Sequence, residues 1–163
     1  MEKARRERII ASVSGSGAHV RPAVALEYLT MAQARRRPSK RLATIWEDLA
    51  HVVFWQDFVL ETLRGGQPKA PAHAAGGWPA MPKGRVSEAA WEALVARFLK
   101  GLEEMEKLAR KVGVEAPIGR GKKSALGGQL LMIGSHTSYH LGQIVFLRKL
   151  IGAWPPPSGG VTW

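Results

Sequence analysis

The sequence predicts an all-α helical bundle. Long segments carry apolar residues at three- and four-residue steps, the spacing that places them on one face of a helix. Clusters of glycine and proline separate these segments, and no stretch shows the apolar–polar alternation of a half-buried strand. The chain has 163 residues, 45% of them hydrophobic, which is sufficient for one domain with a substantial core.

The sequence of the first 41 residues indicates two helical segments. A first helix is expected over about residues 3–13 and ends at Gly15-Ser-Gly17, because glycines favour helix termination. Pro22 then opens a short apolar helix that runs through about Thr30. Arg35-Arg-Arg-Pro38 ends that segment, since a proline disfavours helical backbone in the residue before it.

The second long helix is expected to begin near Thr44, which forms a capping-box pattern with Glu47, and to run to Gly65-Gly66. Residues 65–84 contain five glycines and four prolines and predict an irregular connection. Twenty residues can span about 60 Å. This connection is therefore long enough to cross over to a parallel neighbouring helix.

Two further helices complete the predicted bundle. The third runs from about Ser87, a good N-cap, to Val112, with apolar residues along one face. The fourth runs from about Ser124 to Ile151 and stops at Gly152, ahead of a proline-rich segment. We therefore expect a single domain over residues 1–163, with a basic N-terminal segment 1–41, a crossover loop 65–84 and a Pro/Gly-rich tail 152–163.

The net charge of +11 is concentrated in two segments. Residues 1–41 carry ten basic and three acidic residues, and residues 107–123 carry six basic residues and one acidic residue. Such segments can attract anionic ligands or nucleic acid, but they also fit a solvated basic surface. No nucleic-acid-binding motif accompanies them, so nucleic acid is the less favoured partner.

The remaining composition excludes several classes of protein. No cysteine is present, which rules out disulfides, a cysteine nucleophile and thiolate metal ligands. The charged N-terminus is not followed by a signal-type apolar segment, and no apolar run is long enough to span a bilayer. A cytoplasmic protein without membrane contact is the expectation.

The segment His136-Thr-Ser-Tyr-His140 is the most informative in the chain. Four residues turn a helix by about 400°, so both imidazoles project from one face, one turn apart. That is the spacing required for two ligands on one metal ion. The pair continues an apolar stripe of three- and four-residue steps formed by Ile133, His136, His140, Ile144, Leu147 and Ile151.

Two neutral imidazoles on a core stripe need partners for their ring nitrogens. A shared metal ion would satisfy both rings, and the alternative is two core histidines bonded to other side chains. A metal would require a third ligand, and His51, in the middle of the second helix, is the natural choice. His19 and His73 lie in irregular segments rich in small residues, and we expect both to be exposed to solvent.

Other catalytic patterns are missing. Thr137 follows the first histidine of the pair at the position where a zinc-protease helix carries its general-base glutamate. Gly15-Ser-Gly17 lacks the flanking strand and lysine of a phosphate-binding loop, and no Ser-His-Asp order is present. No catalytic residue is assigned from the sequence, and Tyr139, adjacent to His140, is expected to point elsewhere on the helix.

These residues resemble a known family. The run from Thr44 to His51 (Thr-Ile-Trp-Glu-Asp-Leu-Ala-His), then Trp55, His136-Thr-Ser-Tyr-His140-Leu-Gly-Gln143, Arg148 and Trp154-Pro-Pro are similar to the DinB-like (damage-inducible) family of metal-binding four-helix bundles. The resemblance extends over nearly the whole chain. It implies four helices in up-down-down-up order, with the crossover between helices 2 and 3.

The same resemblance implies that His51, His136 and His140 are the metal ligands and that homodimers are common. Six tryptophans in a small chain also suggest more aromatic surface than one bundle buries. The better understood relatives are metal-dependent thiol transferases and a thiol-dependent isomerase, while many members have no known activity. The family name refers to a DNA-damage response and does not make the chain a DNA binder.

A site of three neutral imidazoles leaves at least one coordination position open, as catalytic sites do. Nitrogen ligation suits Zn²⁺, with Ni²⁺ or Fe²⁺ as alternatives. The favoured hypothesis is a transferase that activates a low-molecular-weight thiol for attack on an electrophilic small molecule. The alternatives are a metal-dependent hydrolase and a non-enzymatic basic stress-response or nucleic-acid-binding module.

Histidine ligands usually donate their second ring N–H to a neighbouring group. Glu47 and Asp48 lie about one turn before His51 and are candidates for this role, although both also suit the start of the helix. Gln143 is a further candidate, for which a bond to a neighbouring helix is the preferred interpretation.

Overall fold

The computed structural model describes residues 2–15, 19–84, 86–112 and 125–160. Within these residues all the regular elements are helices, so the all-α prediction is confirmed. In chain order they are α1 (Glu2–Ser14), α2 (Pro22–Leu26), α3 (Met31–Ala34), α4 (Ile45–Leu63), a 3₁₀ turn (Ala74–Gly77), α5 (Glu88–Val112) and α6 (Leu126–Leu150).

The long helices α1, α4, α5 and α6 form a bundle. Both α1 and α4 pack against α5 and α6, so α1 and α4 lie on opposite sides of the bundle. Its core contains large side chains that are almost wholly buried, namely Leu49, Trp91, Phe98, Met105, Leu130, Leu141 and Ile144. The up-down-down-up order of helix directions stays a prediction.

Several predicted helix ends are confirmed. The Thr44 hydroxyl accepts a hydrogen bond from the Glu47 backbone N–H at 3.2 Å, and the Glu47 carboxylate accepts one from the Thr44 N–H at 2.8 Å. This capping box satisfies two backbone donors at the start of α4. The Ser87 hydroxyl likewise accepts from the N–H of Ala90 at the start of α5.

The single short helix predicted from Pro22 to Thr30 is wrong. α2 ends at Leu26, and Tyr28 adopts a positive φ of 53° that no α-helix contains. The chain then restarts at α3, because Thr30 and Gln33 form a second capping box. The Thr-x-x-Gln pattern was the signal for this new helix start.

The fourth long helix begins at Leu126, and the predicted start at Ser124 lies outside the described residues. Of its predicted core stripe, Ile133, His140, Ile144 and Leu147 are buried, while His136 is half-buried. α6 turns its histidine stripe toward α4, the helix that carries His51.

Among the helices that the structure describes, none is both long enough and apolar enough to cross a bilayer.

Candidate metal centre

Three histidines converge between α4 and α6. His51 lies in the middle of α4, and His136 and His140 lie one turn apart on α6. One ring nitrogen from each imidazole lies within 4.8 Å of the other two, in a group that could hold a metal ion. His51 and His140 are only 7% and 4% exposed, so the cluster is largely withdrawn from solvent.

A backbone carbonyl of the crossover orients His51. Its Nδ1–H donates to the carbonyl oxygen of Gly77 at 2.6 Å. A carbonyl can only accept, so Nδ1 carries the proton and Nε2 presents an unprotonated lone pair. The structure therefore holds His51 in the tautomer that binds a metal through Nε2.

Asp48 fixes the tautomer of His140 in the same way that Gly77 fixes that of His51. The Nδ1–H of His140 donates to the Asp48 carboxylate at 3.0 Å, and Asp48 is only 1% exposed. This carboxylate–histidine pair fixes the ring orientation and leaves Nε2 free, as in histidine ligands of metal sites. Asp48, one of the residues predicted from the sequence to support the site, therefore contacts a histidine of the cluster.

His136 is the histidine whose hydrogen bonding is incomplete. Its Nε2 lies 3.1 Å from the Nε2 of His51. Two nitrogen ligands on one tetrahedral zinc ion, each about 2.0–2.1 Å from it, lie roughly 3.3 Å apart. Its Nδ1 is buried without a hydrogen-bond partner in the part of the chain that the structure describes. With a metal ion on Nε2, the Nδ1 of His136 would carry the ring's proton and would still lack a partner among these residues.

Burial favours the neutral form of two of the three imidazoles, those of His136 and His51. Burial, with smaller contributions from His140 and His51, lowers the pKa of His136 to about 4. Burial also lowers the pKa of His51, and the neighbouring His140 acts in the same direction. Metal ions bind the unprotonated ring nitrogen, so the lowered pKa values of these two rings favour their action as ligands.

The crossover covers the cluster. Trp78 stacks on the imidazole of His51, with ring centroids 4.0 Å apart and an interplanar angle of 12°. Gly77 itself packs closely on Trp55, because a β-carbon there would lie 2.9 Å from the Trp55 indole nitrogen. The sequence analysis missed both Gly77 and Trp78. The only signal was a Gly76-Gly77-Trp78-Pro79 motif within a segment otherwise interpreted as a connection.

The other two predicted supporting residues do not contact the histidines in this way. The Glu47 carboxylate caps α4 at Thr44 and pairs with Arg37 at 2.5 Å. Gln143 lines a surface cleft of about 350 Å³ that also reaches Asp48. Tyr139 is 65% exposed, and its ring meets that of His140 edge-on, with centroids 5.1 Å apart.

The two remaining histidines lie apart from the cluster. His73 is exposed, as expected. The same expectation is wrong for His19, which is half-buried: its Nδ1–H donates to the Val20 carbonyl and its Nε2 accepts from the Ser138 hydroxyl, both at 2.8 Å. Gly15 makes room for this ring, since a β-carbon there would lie 2.4 Å from it.

The fold and the cluster together define the class: a helical bundle with a buried group of three histidines suited to a metal ion. A family model described as the DinB superfamily matches residues 21–144, about three quarters of the chain and all three histidines. The chain belongs to the DinB superfamily. Comparison with curated proteins and with solved structures gives no significant match.

Proposed function

We propose that His51, His136 and His140 hold one divalent metal ion and that the protein is a metal-dependent transferase of a low-molecular-weight thiol. The observation that carries the proposal is the convergence of three imidazoles, two of them buried and with Nδ1 already engaged. Zn²⁺ suits three nitrogen ligands best, with Ni²⁺ or Fe²⁺ as alternatives. When bound, such an ion lowers the pKa of a coordinated thiol and leaves at least one position open for it.

Residues of the chain would prepare the site for that thiol. Gly77 and Asp48 hold the rings of His51 and His140 so that their Nε2 atoms remain available. Trp78, which is 40% exposed, lies over His51 and excludes water from one side of the cluster. A site with little water strengthens the electrostatic stabilisation of a thiolate.

The carboxylates near the cluster favour thiol activation over hydrolysis. A metallohydrolase uses a free carboxylate as general base for its water, as the zinc proteases do. Here the carboxylates of α4 have other roles: Glu47 bonds Thr44 and Arg37, and Asp48 bonds His140 through Oδ1 while its Oδ2 is buried without a partner among the described residues. A thiol needs less assistance, because its ordinary pKa of about 8.5 already lies close to neutrality.

The basic charge of the chain supports an anionic thiol. The formal net charge is +11, and residues 1–41 contribute ten of the basic side chains. A positive surface raises the local concentration of anionic small molecules, and salt weakens the effect. We therefore expect thiols that carry carboxylates to be used in preference to neutral thiols.

The test is conjugation of a chromogenic aryl halide with several thiols. Metal-loaded protein should react with cysteine or glutathione faster than with 2-mercaptoethanol, and the His140→Ala variant should fall to the rate without protein. His73→Ala is the matched control and should keep full activity. Equal rates for the loaded protein and His140→Ala would reject thiol transfer for these substrates. Hydrolysis of an aryl ester by the loaded protein, without conjugation, would favour the hydrolase.

Replacing Asp48 with asparagine should weaken metal binding by about 10- to 100-fold. Asparagine keeps the shape but removes the charge that stabilises the Nδ1–H of His140. The metal dissociation constant, measured by competition with a chromophoric chelator, gives the result. Glu47→Gln is the matched control: it alters the neighbouring residue of α4, whose carboxylate caps the helix, and should leave the affinity unchanged. An equal loss in both variants would contradict the role given to Asp48.

A further inference from the structure

A serine and a histidine meet on the side of α6 that faces α1. Two residues turn a helix by about 200°, so Ser138 points away from the direction of its neighbours His136 and His140. Its hydroxyl lies 2.8 Å from the Nε2 of His19, which belongs to the segment after α1. Because α1 packs against α6, this pair lies on a different side of the helix from the candidate metal centre.

A backbone carbonyl fixes the proton positions in this pair. The Nδ1–H of His19 donates to the carbonyl oxygen of Val20 at 2.8 Å, and a carbonyl can only accept. Nε2 is therefore the unprotonated nitrogen, and the Ser138 hydroxyl donates to it. A serine bonded to a histidine that a third group orients is the arrangement of an activated nucleophile. The carbonyl of Val20 takes the position that an aspartate has in a catalytic triad.

Two glycines hold the histidine against the serine. Gly134 lets α1 approach α6 closely, because a β-carbon there would lie 2.7 Å from the backbone oxygen of Ser12. Gly15 follows α1 with a positive φ of 70°, a conformation that favours glycine. A β-carbon at Gly15 would also lie 2.4 Å from the His19 ring. The contact between His19 and Ser138 is therefore set by the packing of the backbone around it.

The pair lines a cavity of about 320 Å³, a volume within the range of small-molecule sites. Ser138 and His19 are both half-buried, and small residues form most of the other walls. Arg8 is the one arginine, lysine, aspartate or glutamate among the described residues that line this cavity. The structure shows no hydrogen bond or ion pair of its guanidinium with any described residue. A small molecule in the cavity would therefore contact the serine beside an available positive charge.

We propose that Ser138 and His19 form an acyl-transfer site that hydrolyses small carboxylic esters through an acyl-serine intermediate. Esters suit this pair better than amides, because an alkoxide leaves a tetrahedral intermediate more readily than an amide nitrogen does. The cavity volume limits the substrate to a small molecule. This activity requires no metal ion and does not rest on the thiol transfer proposed above.

The reaction is a substitution at the carbonyl carbon of the ester. The Ser138 oxygen bonds to that carbon while the hydroxyl proton passes to the Nε2 of His19, and the carbonyl oxygen becomes negative. The carbonyl then re-forms, the bond to the alcohol oxygen breaks, and His19 returns the proton to the departing alcohol. Water repeats these steps on the acyl-serine, which releases the carboxylic acid and restores the Ser138 hydroxyl. Arg8 supplies the positive charge that stabilises the oxyanion.

The first test is labelling of the purified full-length protein with a fluorophosphonate probe, which reacts with activated serines. Peptide mass spectrometry should find one label per chain, on Ser138, and Ser138→Ala should carry none. His19→Gln keeps a hydrogen-bond acceptor but not a base, so it should slow the labelling by about 100-fold or more. Ser158→Ala is the matched control, because the exposed Ser158 donates to the Glu27 carboxylate instead, and it should be labelled at the native rate.

The second test is hydrolysis of p-nitrophenyl acetate with and without a chelator. Hydrolysis at Ser138 needs no metal, so the chelator should leave the rate unchanged, whereas hydrolysis by a metal centre would stop. The first turnover should release about one nitrophenolate per chain in a burst, because acylation by an activated aryl ester is faster than release of the acyl group. Ser138→Ala, which removes a single oxygen atom, should show no burst.

Three results would overturn the proposal. One is a native protein that the probe does not label, which would leave the bond between Ser138 and His19 as a structural link between α1 and α6. Another is labelling of the exposed Tyr139 in place of Ser138. The last is an equal labelling rate for the native protein and a His19→Gln variant that circular dichroism shows to be folded. None of these readouts depends on metal, so failure of the proposed metal site would not affect them.

Discussion

The His51→Ala, His136→Ala and His140→Ala variants are each expected to lose most of their affinity for a divalent metal. The three ring nitrogens lie within 4.8 Å of one another, and no fourth histidine, aspartate or glutamate joins this group within the described residues. Two imidazoles leave a transition ion under-coordinated. Competition with a chromophoric chelator should give a metal dissociation constant at least about 100-fold higher for each variant. Replacing a residue that only supports a ligand typically lowers metal affinity by about 10- to 100-fold, so loss of a ligand itself should cost at least as much.

The remaining histidines supply the controls. His73→Ala removes an exposed ring and should leave metal binding unchanged. His19→Ala removes the bonds to Val20 and Ser138, so it should lower stability by about 1 kcal/mol without affecting the metal. If His73→Ala released the metal as effectively as His51→Ala, the assignment of the third ligand would be wrong.

Stability without metal should distinguish the ligands from one another. His136→Ala removes a ring whose Nδ1 has no partner among the described residues, so the metal-free protein should tolerate it well. His140→Ala leaves the buried Asp48 carboxylate without its donor and should cost about 1–3 kcal/mol. Urea unfolding of the metal-free variants provides the comparison.

The Trp91→Ala variant should lose about 3–5 kcal/mol of unfolding free energy. Trp91 is 2% exposed, and its indole N–H donates to the carbonyl of Leu29 at 2.6 Å, which ties α5 to the connection between α2 and α3. For a chain of this size the midpoint of thermal unfolding should fall by roughly 6–20 °C. Calorimetry of the metal-free protein measures the shift.

Trp78→Ala is the matched control for this result. Trp78 is 40% exposed and stacks on His51 instead of filling the core, so its loss should lower the thermal midpoint far less. Equal shifts for the two variants would contradict the assignment of Trp91 to the core and of Trp78 to the surface of the site.

The long helices were predictable because local and tertiary signals agree. Thr44 and Glu47 predict the start of α4, because a capping box depends only on adjacent backbone groups. The structure contains that capping box. The apolar spacing of α5 likewise reflects a single buried face, as in Trp91, Phe98 and Met105. Such signals require no knowledge of distant residues.

The short helices and His19 were predicted less well. Both capping boxes follow the same rule, but the one at Thr30 stands within an apolar segment that looks continuous by composition. The burial of His19 depends on Ser138, which is 119 residues away, and on the room left by Gly15. Contacts over such distances leave no periodic pattern in the sequence.

The candidate site also combines features that the sequence predicts with features that depend on contacts between distant segments. The spacing of His136 and His140 predicted two rings on one face, and their meeting with His51 agrees with the ligand set implied by the family. The contribution of Gly77 and Trp78 could not be predicted, because it depends on the path of residues 65–84 over the bundle. Backbone carbonyls that bind side chains leave no signature in residue type.

The described tryptophans leave little of the exposed aromatic surface that the sequence suggested as a reason for a homodimer. Trp46 and Trp91 are buried, Trp55 and Trp154 are partly buried, and only Trp78 is exposed among the described tryptophans. The exposed apolar surface lies on α6 instead, as Met132, Tyr139 and Phe146. The homodimer therefore stays a prediction of the family resemblance.

The most direct test of the account is the metal content of the untagged protein, purified without chelator or added metal. Elemental analysis should find about one divalent ion per chain, and stripped protein should take up one ion again. The His136→Ala variant, purified in the same way, should contain almost none. A native protein that carries no metal and cannot be loaded with Zn²⁺, Ni²⁺ or Fe²⁺ would contradict the central claim that the three histidines form a metal centre.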